Sequence, residues 1–147
     1  MTFRAYFYRG TRPGIAGVAN RLIRMRDHGP YSHMELCFSD GWSASSSLMD
    51  GGVRFRRIDY DPAKWDYIEL PKELELGARM WFTYHQGQEY DWRADVCLAI
   101  GILAQSELAW MCSESCMVAL GFDEKDAWRY SPNTAAATIR RITNNRT

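Results

Sequence analysis

At 147 residues and 17.0 kDa the chain has the size of a single domain spanning residues 1–147, and a domain this long buries roughly 70% of the surface its unfolded chain exposes. Hydrophobic residues at 46%, charged residues at 24% and aromatics at 14% exclude an intrinsically disordered chain. Eighteen basic residues cancel eighteen acidic ones, which argues against a protein held mainly by nucleic-acid phosphates or by an anionic membrane surface.

Phe3 to Tyr8 reads as a strand. After Thr11, Ile15, Val18, Ala19, Leu22 and Ile23 recur at helical spacing behind Pro13, a residue suited to a first turn. His33 to Phe38 and Trp42 to Ser47 flank Asp40-Gly41, a two-residue hairpin signal. Gly51-Gly52 turns the chain into the alternating strand VRFRRI, and Trp65 to Leu70 is a further strand ended by Pro71. From Glu73 the spacing of Leu74, Ala78 and Trp81 predicts a helix up to Gly87, and Asp91 can cap a second apolar helix through Ile100. Cys112 to Leu120 reads as a short helix stopped by Gly121, and Ser131-Pro132 as the cap and first turn of a last one through Ile139. Strands grouped before helices predict an α+β fold with an antiparallel sheet packed on helices.

The zero net charge hides an asymmetry. Residues 1–58 hold nine Arg against Asp27, Glu35, Asp40 and Asp50, a balance of +5, and the remainder carries −5. Arginine forks bind carboxylates bidentately, so this half suits an acidic substrate. The alternative is a solvated face with internal ion pairs. No basic segment followed by an apolar run opens the chain, and no stretch reaches the ~18 apolar residues of a spanning helix. The expectation is a protein made in the cytosol without a Sec-type signal and without a transmembrane segment.

Few residues can carry chemistry. His28 in a polar turn and His85 at a helix end read as structural or solvated. His33 opens a strand, where loop and core meet. Cys112, placed at a helix N-terminus, would feel unpaired N–H groups and the positive end of the dipole, which favours a thiolate nucleophile. Cys37, Cys97 and Cys116 read as packing residues. Glu35 shares a strand face with His33, about 7 Å away along the strand, and can fix the imidazole tautomer. Ser45 on the neighbouring strand is the alternative orienter. Zinc shared by Cys112, Cys116 and His33 lacks a second closely spaced ligand pair, so neither metal nor organic cofactor is expected.

The order YSHMELCF, a Gly-containing hairpin, GGVRFRRI, EYDW, WMCSESCMVALGF and RYSP resembles the circularly permuted branch of the NlpC-like cysteine peptidases, which includes YiiX-like proteins and lecithin:retinol acyltransferase relatives. The likeness spans roughly residues 5 to 135, with His33 and Cys112 lying 79 positions apart. It implies a papain-like fold, Cys112 as nucleophile and His33 as general base. Many permuted relatives place a Glu on the strand after the histidine strand; this chain has WSASSS there and offers Glu35 on the histidine strand itself. The SHxEL wording and the GGVRF turn also resemble small proteins of tailed bacteriophages, for which a tail particle or holin lesion gives access to the cell wall.

The resemblance implies a cysteine-dependent hydrolase that cleaves an amide bond through an acyl-enzyme, with peptidoglycan stem peptides as the substrate. Two alternatives stand beside it. One is an acyl-lipid or thioester hydrolase or acyltransferase; the other is a non-catalytic papain-like binding module. Composition and spacing give no oligomeric state.

Overall fold

The computed structural model describes residues 1–10, 28–47, 52–87, 104–127 and 129–144. Five strands form an antiparallel sheet: β1 (Arg4–Tyr8), β2 (His33–Cys37), β3 (Ser43–Ser47), β4 (Gly52–Arg56) and β5 (Trp65–Glu69), in the order β4-β3-β2-β1-β5. A 3-10 turn (Lys72–Leu74) leads into α1 (Glu75–His85), followed by α2 (Ala104–Ala119), α3 (Glu124–Ala127) and α4 (Pro132–Asn144). The architecture is α+β, as the grouping of strands before helices predicts. The helices expected behind Pro13 and behind Asp91, and Cys97 with them, lie outside the described residues.

Alternation along the strands produces two covered faces. Ala5, Phe7, Met34, Leu36, Ala44 and Val53 point into one core, where they meet Ala78 and Phe82 of α1, Met117 and Leu120 near the end of α2, and Ala135, Ala136 and Ile139 of α4. α2 packs against β2, β3, α1, α3 and α4 and is the central helix of this layer. On the other face Tyr60, from the β4–β5 connection, stacks on Tyr6 and donates its hydroxyl to Ser43 Oγ at 2.8 Å. Ser43 and Ser45 are fully buried although both are polar.

Local chemistry accounts for the turns. The β2–β3 hairpin closes through a three-residue loop, Ser39-Asp40-Gly41, instead of the two-residue turn that Asp-Gly signals. Gly41 N–H donates to Phe38 O at 2.9 Å, Phe38 N–H donates to Trp42 O at 2.8 Å, and Gly41 sits at φ 84°. A type I turn followed by a left-handed glycine gives this geometry, and Asp40 Oδ1 accepts from Trp42 N–H at 3.1 Å to hold it. α4 opens at Pro132, with Ser131 Oγ accepting from Thr134 N–H at 3.2 Å.

One expectation needs correction. Cys112 does not open a helix: α2 begins at Ala104, and Cys112 is its ninth residue. The segment AQSELAWM before Cys112 holds Ala, Gln, Glu, Leu and Met, all good helix formers, with no Gly or Pro to stop propagation. Inside a helix the backbone N–H of Cys112 belongs to the i→i−4 ladder, so neither orphan N–H groups nor the dipole's positive end are available at the sulfur.

Candidate active site

β2 and β3 continue beyond their last paired residues, Leu36↔Ala44 and Cys37↔Ser43, but separate there. In that splay the carbonyl of Met34 accepts from Ser45 Oγ at 2.8 Å and from Cys116 Sγ at 3.9 Å. The side chains of β3 and α2 thus replace a missing ladder bond, and α2 is brought against the start of β2. His33 is the first residue of β2, with its side chain 14% exposed.

His33 Nε2 lies 2.7 Å from Glu35 Oε1, as two side chains on one strand face can. Cys112, fully buried on α2, is within hydrogen-bonding range of the same imidazole. With Nε2 held by the carboxylate, Nδ1 is the ring nitrogen that remains for the sulfur. The edge of Trp65 closes another side of the ring, with centroids 6.2 Å apart. The structure therefore brings Cys112, His33 and Glu35 together. Ser45 does not orient the ring, because its hydroxyl is spent on the Met34 carbonyl.

Arg54 is a member of this cluster that sequence reasoning missed. It sits opposite Ser45 in the β3–β4 register, and its guanidinium reaches past β3 to grip both oxygens of Glu35, Nη1 to Oε2 at 2.7 Å and Nη2 to Oε1 at 2.5 Å. A serine at position 45 is small enough to leave that path open. The signal was present in the alternation of VRFRRI: Arg54 shares the face opposite Val53 and Phe55, and an arginine directed at a covered sheet face needs an anion.

Electrostatics follow from this geometry. Burial opposes the imidazolium, but neighbouring Cys112 and then Glu35 outweigh it and raise the His33 pKa from 6.5 to about 10. Burial likewise opposes the Glu35 carboxylate, yet Arg54 and then His33 lower its pKa from 4.5 to about 2. For Cys116, burial and then the neighbouring Cys112 and Glu35 outweigh Ser45 and Arg54 and push its thiol well above the ordinary range. Burial also raises the Cys37 thiol, His28 sits exposed in a turn at φ 48°, and His85 donates from Nδ1 to Trp81 O at 2.7 Å while stacking on Trp81. Among the described residues no group of three or more His, Cys, Asp and Glu is placed to hold a metal ion.

Comparison of the chain with protein-family models, curated proteins and solved structures finds no match.

Proposed function

We propose that the chain is a cysteine-dependent hydrolase of permuted papain-like (NlpC-like) type, acting on an amide bond in peptidoglycan stem peptides. The observation that carries the reading is one imidazole bracketed by a thiol and an arginine-held carboxylate. Cys112 and His33 can exchange a proton, while Glu35 fixes the ring and balances its charge. Support also comes from the order of the parts: a histidine at the start of a sheet strand, followed by a cysteine on the central helix packed against that strand.

In the proposed reaction Cys112 Sγ attacks the carbonyl carbon and forms a C–S bond. His33 gives its proton to the departing amine nitrogen as the C–N bond breaks. The neutral imidazole then takes a proton from water, which attacks the thioester and releases the acid and the thiol. Glu35 stays ionised throughout, and Arg54 stays bound to it. Because the helical ladder occupies the N–H of Cys112, the imidazolium of His33 is the positive charge that adjoins the sulfur.

Incubation with purified muropeptides, followed by mass spectrometry, tests the proposal. Products of one amide cleavage, each bond broken with the gain of one water, should form with the wild type and disappear with Cys112→Ser. Turnover of acyl thioesters with muropeptides left intact would move the assignment to the acyl-lipid or thioester alternative. The burial of Cys112 favours a second reading, a non-catalytic binding module in which the thiol is a core atom. On that reading neither substrate class is consumed.

A further inference from the structure

We propose that Arg54 is a positioning residue of this site: its guanidinium, by gripping both oxygens of Glu35, keeps that side chain an ionised acceptor aimed at His33. Its catalytic meaning rests on the thiol-hydrolase reading, but the clamp can be tested without any substrate. Glu35 is 1% exposed and Arg54 15%, so neither oxygen can exchange the guanidinium for bulk water. A lone His33 contact would satisfy only Oε1, leaving Oε2 a buried acceptor with no donor. Such a carboxylate either takes up a proton or rotates, and each outcome releases the imidazole.

The other titratable groups around Glu35 cannot replace the clamp. Among the described residues these are His33 and Cys37 on β2, Cys112 and Cys116 on α2, and Tyr60 on the β4–β5 connection. Of these only His33 bonds the carboxylate, and the remaining four are neutral or anionic in every protonation state. The cation that holds Glu35 ionised independently of the chemistry at His33 is therefore Arg54. A lysine at this position would keep the charge but lose the bidentate fork.

The test is a carboxyl carbon NMR titration of the full chain labelled at glutamate, with the Glu35 resonance assigned by its loss in Glu35→Gln. In the wild type this resonance should stay at its ionised position as the pH falls through about 4.3, where ordinary glutamates titrate. In Arg54→Met it should titrate at or above that value, and in Arg54→Lys at an intermediate one, with the His33 ring nitrogen shifts moving alongside. A merely structural arginine would lower thermal stability in both variants and leave the Glu35 midpoint where it was; that result overturns the proposal. Should Arg54→Met fail to fold, a midpoint in Arg54→Lys equal to that of the wild type overturns it instead. So does a wild-type Glu35 that titrates like an ordinary glutamate. Absence of muropeptide cleavage would count against the hydrolase and leave this outcome untouched.

Discussion

Glu35 is a carboxylate at 1% exposure, and an unpaired charge so placed would be costly. Two cationic partners on different strands make it tolerable: His33 two residues away on β2, and Arg54 from β4. Glu35→Gln keeps the shape, can still accept from the imidazole and no longer balances its charge. The substitution should lower turnover by about a hundredfold with little change in KM. It also takes the Glu35 charge away from the Arg54 guanidinium, and urea unfolding should show a loss of about 3 kcal/mol. Ser45→Ala removes one hydrogen bond to the Met34 carbonyl and should cost about 1 kcal/mol with turnover retained. The His33–Glu35 contact was legible because a strand brings i and i+2 together. The alternation of VRFRRI marks Arg54 as an arginine in need of an anion, but that the anion is Glu35 depends on the β3–β4 register and on a small residue at position 45, neither of which local pattern displays.

At the scale of elements, the segment around Cys112 shows how a chemical motif can mislead. The apolar run from Cys112 to Leu120 reads as a helix that starts at the cysteine, whereas propensity alone carries the helix back to Ala104; Trp110 and Met111 are not capping residues. The stop was legible. Gly121 N–H donates to Val118 O at 2.8 Å and Phe122 N–H to Met117 O at 3.1 Å, a Schellman closure that needs the left-handed φ of 93° found at Gly121. A β-carbon there would meet nothing within 4 Å, so Gly121→Ala isolates the backbone term and should destabilise by about 1 kcal/mol in urea unfolding. Cys116, one turn after Cys112, packs in the core with its thiol on the Met34 carbonyl. Cys116→Ala should keep activity, and Cys112→Ala should abolish it; equal loss in both would contradict the division of roles.

Across the molecule, the opposed charges of the two halves meet in the sheet. β1 lies beside β5, so Arg4 pairs with Glu69 at 3.0 Å and Arg9 with Asp66 at 3.6 Å, while Arg79 of α1 returns to Asp40 at the hairpin turn at 2.6 Å. For these residues the alternative of internal ion pairs describes the asymmetry; being solvent-exposed, such pairs add little stability. The α+β class was legible from element order, but the strand order was not, since it rests on pairings distant in sequence. The buried cluster gives the whole fold a pH dependence. Its His33 contribution is fully present below 6.5 and is lost as the pH rises through about 10. Its Glu35 contribution is present above 4.5 and is lost as the pH falls through about 2. Thermal melts should therefore show the largest gap between wild type and His33→Gln from pH 4.5 to 6.5, narrowing toward pH 10. A gap that widens with rising pH would reverse the assigned charge state.

Cys112 should act as a nucleophile activated by His33, and alkylation with limiting iodoacetamide followed by peptide mapping measures this most directly. Cys112 should label before Cys37, Cys97 and Cys116, and His33→Ala should slow that labelling near pH 6, where a thiol without an imidazolium partner is almost wholly protonated. Faster labelling of any other cysteine, or a Cys112 rate indifferent to His33→Ala, would contradict the account.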